Sequence, residues 1–137
     1  MPPADPARPL DGIPLLLVED DAVVRRTAMI VLRGLGGMTV AECHDGDAFA
    51  RHCAPGLRDV LVFTDLHMPG ADPIDVLTAL PETDRPRGVV ILSGDAGTLV
   101  SAQHERLRAA GLTVLGTIEK PMSPAKLRPL LLLLDQG

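Results

Sequence analysis

The stretch Ile13-Pro14-Leu15-Leu16-Leu17-Val18-Glu19-Asp20-Asp21 decides the fold, because an unbroken aliphatic run ends abruptly in three carboxylates. A strand with one wet face alternates apolar and polar side chains. Apolar residues in succession mean burial on both faces, the condition of a parallel sheet covered by helices. Val60-Leu61-Val62-Phe63 and Val89-Val90-Ile91-Leu92 read the same way. Working outward, the candidate strands are Ile13 to Val18, Met38 to Cys43, Asp59 to Thr64, Gly88 to Ser93 and Leu112 to Thr117.

The intervening segments have helical period. Between Asp21 and Leu35, the residues Val24, Ala28, Val31, Leu32 and Leu35 share one face, and Gly34, Gly36 and Gly37 supply the stop. A second helix is expected from about Asp47 to Ala54, ending at Pro55-Gly56. The third opens with Asp72-Pro73-Ile74-Asp75, an aspartate cap with proline in the first turn, and Pro81 closes it. The fourth, about Gly97 to Ala110, has only Leu99, Val100, Leu107 and a few alanines for an apolar face and is expected to be loosely held. The last, Pro124 to Leu134, follows a Ser123 cap and aims Leu127, Leu130, Leu131 and Leu134 inward; Pro129 argues for a late start or a kink. Strand and helix alternating five times with right-handed crossovers give an α/β fold, a doubly wound (βα)5 sandwich on a five-stranded parallel sheet, flavodoxin-like in class.

Composition narrows the function. A chain of 137 residues makes one domain, and 46% hydrophobic with 23% charged residues is ordinary globular usage. The net charge of −5 has the wrong sign for a phosphate-backbone binder, so nucleic acid is not expected as a partner. Its apolar runs fall far short of the roughly 20 residues that span a bilayer, so no membrane segment is expected. Residues 1–12, MPPADPARPLDG, lack an apolar core and read as a flexible leader, not a signal peptide, ahead of a domain at 13–137. The cytoplasm is the default address. Cys43 and Cys53 lie beside His44 and His52, yet the spacing lacks the tight pairs of zinc sites, and reduced core thiols are the expectation.

Ligands of such sheets sit outside the carboxyl ends of the strands. There the sequence places Glu19, Asp20 and Asp21 after the first strand, Asp65 ending the third, Ser93 ending the fourth and followed by Gly94, and Glu119, Lys120 and Pro121 after the fifth. No glycine-rich phosphate loop follows the first strand, which removes dinucleotide and P-loop readings. Two carboxylates about 5 Å apart repel by roughly 3 kcal/mol at an effective dielectric near 20, so the cluster asks for a cation. An all-oxygen donor set suits Mg²⁺, and Lys120 adds a point charge for the same phosphate. Asp65, central in the set, is the candidate phosphoryl acceptor, since carboxylates can attack phosphorus.

In order and spacing, LLLVEDD at 15–21, VFTDLHMPG at 62–70, VVILSG at 89–94 and IEKP at 118–121 resemble the response-regulator receiver domain of two-component signalling. The resemblance covers about residues 13 to 134. It implies that Asp65 takes a phosphoryl group from a phosphohistidine on a sensor histidine kinase or histidine phosphotransfer protein. It implies that Asp20 and Asp65 ligate Mg²⁺ directly, with Glu19 acting through water and the backbone carbonyl of His67 completing the site. Ser93 would bond a phosphoryl oxygen, Lys120 would pair with the acyl phosphate, and Lys120-Pro121 would be cis. The chain then reads as a stand-alone, chemotaxis-type phosphoacceptor and not an enzyme, promoting its own phosphorylation and slowly hydrolysing the product. Its output would pass through the fourth helix, fifth strand and fifth helix to a downstream protein target or an effector domain trimmed from the chain.

Two positions depart from the family pattern. Thr117 stands where Tyr or Phe is usual, so less bulk can turn inward behind Ser93, and the signal would pass instead through backbone shifts around the fourth helix and fifth strand. Pro73 replaces a usual glycine and stiffens the loop beside the site. Other readings remain open on the residues alone. Asp20 and Asp21 fit simple helix capping, Ser93 an ordinary strand end, Lys120 and His104 solvated surface, and Leu132 with Leu133 partial burial or a partner patch. A phosphorylation-independent scaffold is one rival function. A Mg²⁺-dependent aspartyl-phosphate phosphohydrolase is another, although its usual second acid, two residues past the nucleophile, is here His67.

Overall fold

The structure, a computed structural model, describes residues 5–94 and 98–136, without the side chains of residues 98, 99, 135 and 136. Five strands, β1 (Pro14–Val18), β2 (Met38–Cys43), β3 (Leu61–Asp65), β4 (Gly88–Ser93) and β5 (Val114–Glu119), alternate with α1 (Ala22–Gly34), α2 (Gly46–Cys53), α3 (Pro73–Thr78), α4 (Thr98–Ala109) and α5 (Pro124–Leu131). The sheet is parallel throughout, in the order β2-β1-β3-β4-β5. Strand order reverses between β1 and β3, so their carboxyl ends open the crevice where this class of fold binds ligands.

The successive apolar residues of β1 divide between two cores, as two-face burial requires. Leu15 and Leu17 pack with Ala28, Met29 and Leu32 of α1 and Leu127 and Leu131 of α5. Leu16 and Val18 pack with Phe49 and Cys53 of α2, Ile74 and Leu77 of α3 and Leu107 of α4. The chain has two phenylalanines. Both are fully buried, Phe63 in the first layer and Phe49 in the second.

Several boundaries differ from those read in the sequence. Strand β3 starts at Leu61, because Asp59 occupies a turn with φ 70°. Strand β5 runs two residues later than expected: the β4–β5 register shifts between Val89 and Val90, and Gly116 there has φ 151°. A Cβ on Gly116 would lie 2.6 Å from Leu130 Cδ2. Helix α3 ends at Thr78, with a separate 3-10 turn at Glu82–Asp84 beyond Pro81. Helix α5 starts at Pro124, not late, and gives way after Leu131 to a 3-10 turn over Leu132–Gln136. Pro129 inside it removes one helical hydrogen bond. The tighter turn leaves Leu132 at 65% and Leu133 at 43% exposure while Leu134 packs on the core. In α4 the only buried side chain among the described residues is Leu107; Gly97 and the Leu99 side chain lie outside the described residues.

The stretch read as a flexible leader is anchored where the structure describes it. Leu10 is fully buried in the layer formed with α1 and α5. Its N–H donates to Leu35 O at 3.0 Å, and Arg128 Nη1 donates to Pro6 O at 2.9 Å. One leucine among prolines has no periodicity to announce it. Leu10→Ala is expected to cost about 2–4 kcal/mol, the usual loss for a buried leucine, in urea unfolding followed by far-UV circular dichroism. A leader without anchorage would leave the midpoint unchanged.

Candidate functional site

Strand ends bring the predicted residues together. Glu19 continues β1, its N–H donating to Cys43 O at 3.0 Å across the end of β2. Its side chain is fully buried, whereas Asp20 is exposed at the rim. Asp21 caps α1, its Oδ1 accepting from Val23 N at 2.8 Å and Val24 N at 3.1 Å. Capping therefore accounts for Asp21 and not for its two neighbours. Asp65 ends β3, and carboxylate oxygens of Glu19, Asp20 and Asp65 lie within 4.8 Å of one another. Ser93 ends β4, is 7% exposed, and accepts Lys120 N–H on its backbone oxygen at 2.7 Å.

Lys120 reaches into this cluster. Its Nζ lies 2.8 Å from Asp65 Oδ2 and 2.6 Å from Glu19 Oε1. The Lys120-Pro121 peptide is cis. Asp65 Oδ1 accepts from Leu66 N at 2.6 Å and His67 N at 3.2 Å, which fixes the carboxylate plane from the loop side. His67 itself is exposed, and its imidazole is not among the clustered ligand groups. Thr117 is half-buried in β5 opposite Ile91, two positions before the Ser93 and Glu119 pair.

Two supporting residues were not legible in the sequence. Arg25, one turn into α1, donates from Nη1 to Glu19 O at 2.8 Å and sets its Nε 3.7 Å from Glu42 Oε1. Lys126 Nζ donates to Glu119 O at 3.1 Å and Pro121 O at 3.0 Å, bracing the turn that carries Lys120. Both act on backbone carbonyls, and no side-chain pattern announces such contacts.

A zinc site does not assemble. Cys43 and Cys53 are buried, and burial pushes their thiols up to about 11 and about 12, while His44 and His52 are exposed. They are inert protonated thiols at neutral pH. Among the described residues the one cluster of metal-ligating groups is Glu19, Asp20 and Asp65.

That cluster fits a hard divalent cation. Its donors are all oxygens, and three carboxylates outweigh the single nearby ammonium. Glu19 Oε1 is buried 2.6 Å from Lys120 Nζ, and a carboxylate oxygen with that single contact keeps capacity for a further ligand.

Burial raises the Glu19 pKa above its usual 4.5, against the lowering by Lys120 and the Asp21 N–H. For Lys120 burial works downward, but the hydrogen bonds and charges of Asp65 and Glu19 outweigh it and hold its pKa above 10.5. The signs follow from linkage. Glu19 binds its proton more tightly folded than unfolded, so at this position folding is favoured at low pH and the advantage is lost as pH rises past 4.5 through the raised folded value. Lys120 contributes stability throughout the range below 10.5 and loses it above, through its own raised value. Mg²⁺ affinity, measured by titration across a pH series, is expected to fall on acidification beginning above 4.5, where an ordinary glutamate would still be ionised. An affinity flat down to that pH would contradict a raised Glu19 pKa.

The profile of the response regulator receiver domain matches residues 15–131. Chemotaxis protein CheY of Pseudomonas aeruginosa is 32% identical over 117 residues, covering 83% of this chain and 89% of that protein. The solved receiver domain of a P. aeruginosa sensor histidine kinase, with magnesium coordinated in its active-site cleft, superposes with a TM-score of 0.69 at 23% identity. It covers 92% of this chain and 99% of that one. CheY of Borrelia burgdorferi, in a complex with CheX, BeF3 and Mg²⁺, gives 0.70 at 19% identity over 91% of this chain and 90% of that one.

Proposed function

Because the chain belongs to the response regulator receiver domain family, we propose that it is a phosphoacceptor switch in which Asp65 takes a phosphoryl group from a phosphohistidine partner. Lys120 Nζ bridging Asp65 and Glu19 beside Asp20 is the observation that carries this reading. The family match spans residues 15–131, and Leu10 ahead of it seals one of the two cores. An Asp65 carboxylate oxygen attacks phosphorus, the P–N bond to the donor imidazole breaks, the imidazole keeps the electron pair, and an acyl phosphate forms. Lys120 gives its Asp65 contact over to the incoming phosphoryl oxygens, and Ser93 stands on the neighbouring strand end to bond another. Asp20, Asp65 and the His67 carbonyl, with Glu19 acting through water, would hold Mg²⁺, which would supply charge neutralisation at those oxygens. Magnesium coordinated in the active-site cleft of the kinase receiver domain that shares this fold supports a divalent cation at the acidic cluster.

The output is a change of protein-binding face across α4, β5 and α5, toward a downstream protein or an effector domain. With Thr117 in place of an aromatic ring, the shift is carried by backbone around α4 and β5. The single buried side chain found among the described residues of α4 favours this route. Among the described residues no helix is long and apolar enough to cross a membrane.

Incubation with acetyl phosphate and Mg²⁺, read by intact mass, tests the reading. A long-lived gain of one phosphoryl group is expected. No gain would favour a phosphorylation-independent scaffold, and rapid phosphate release without accumulation would favour a phosphohydrolase.

A further inference from the structure

The loop from Leu66 to Asp72 leaves the acceptor strand carrying His67, and it is gripped by the start of α2, an element that supplies none of the site side chains. Gly46 N–H donates to Pro69 O at 2.9 Å, and Ala71 N–H donates to Asp47 Oδ1 at 3.1 Å. The two backbones meet so closely that a Cβ on Gly46 would fall 1.5 Å from Ala71 O. On the loop side, Gly70 has φ 80°, and a Cβ there would lie 2.8 Å from Asp47 Oδ2. Two glycines thus make room for one carboxylate and one amide to lock the segments together. The loop is pinned at its other points by Asp65 Oδ1 on the Leu66 and His67 amides and by Asp72 Oδ1 on Ile74 N at 2.8 Å. Asp45, Gly46 and Asp47 follow, after His44, the Cys43 whose carbonyl accepts the Glu19 N–H, so one connection braces two sides of the acidic cluster.

We infer that Asp47, seated through Gly46, is a positioning residue that holds the loop after Asp65 so that the His67 carbonyl stays directed at the divalent cation. Asp47 touches neither phosphoryl group nor metal. Its carboxylate works as a hydrogen-bond acceptor for Ala71, not as a charge. Partners of this kind, which orient metal ligands without binding metal, change metal affinity appreciably when removed. The inference rests on the proposed Mg²⁺ site.

The test compares Asp47→Ala with Asp47→Asn, which keeps the acceptor oxygen and drops the charge. Mg²⁺ is titrated into each unphosphorylated protein and followed by amide NMR, and amide exchange at Ala71 and His67 is measured without metal. Asp47→Ala is expected to weaken Mg²⁺ binding about 10-fold and to speed exchange at both amides, with Asp47→Asn within about twofold of wild type. Thermal melting by circular dichroism should stay close to wild type in both, because Asp47 is exposed. Wild-type affinity and exchange in Asp47→Ala would overturn the inference. So would equal losses in both variants, which would make charge and not the hydrogen bond responsible, or a wild-type protein that does not bind Mg²⁺. If acetyl phosphate leaves no adduct while Mg²⁺ affinity still depends on Asp47, the phosphoacceptor reading fails and the positioning role stands.

Discussion

Asp65→Asn is expected to abolish the acetyl phosphate adduct entirely, with no gain in intact mass under conditions that convert the wild type. The substitution is nearly isosteric. Its amide oxygen can still accept from the Leu66 and His67 N–H groups that now hold Oδ1, so the loop keeps its anchorage. Lys120 keeps its contact with Glu19. The loss therefore reads out chemistry and not unfolding, and circular dichroism should show the variant folded. The neutral amide removes the nucleophile, for which no other carboxylate substitutes: Glu19 is fully buried behind Lys120, and Asp20 sits at the exposed rim. A variant that still gains a phosphoryl group at the wild-type rate would place the acceptor elsewhere and end the assignment.

Lys120→Met is expected to slow phosphoryl uptake by about 10²–10³-fold, the usual cost of deleting one fixed charge at a transferring group. Methionine retains much of the apolar stem, which limits the packing loss. The same change is expected to tighten Mg²⁺ binding a few-fold, because it removes a cation that competes for Asp65 Oδ2 and Glu19 Oε1. Opposite movements of affinity and rate are the signature. A generally damaged site would lose both, and parallel losses in stopped-time mass measurements and metal titration would contradict the role given to Lys120. At alkaline pH the wild type should drift toward the variant as its raised lysine deprotonates above 10.5.

Much of this site was legible because the information is local. Three strands announce themselves by apolar runs, and the candidate residues gather at the carboxyl ends of four strands, so reading those ends collects Glu19, Asp20, Asp65, Ser93 and Lys120 without knowledge of any contact. What stayed hidden is what depends on distant partners. Leu10 is buried because Leu35 and the α1 and α5 layer receive it, and nothing in MPPADPARPLDG says so. The displacement of β5 depends on a register shift against β4 at Gly116. The grip of Asp47 on Ala71 spans 24 residues and uses a backbone amide, which has no sequence signature at all.

The placement of one buried phenylalanine in each hydrophobic layer has a practical consequence. Fluorinated at both rings, the protein would give a two-line fluorine spectrum, since the chain has two phenylalanines and each supplies one line. Phe63 lies on the acceptor strand and Phe49 on the helix whose start grips the loop, so each line reports on a separate side of the sheet. The order in which the lines respond to phosphorylation would reveal whether the disturbance crosses the sheet or remains on one side of it.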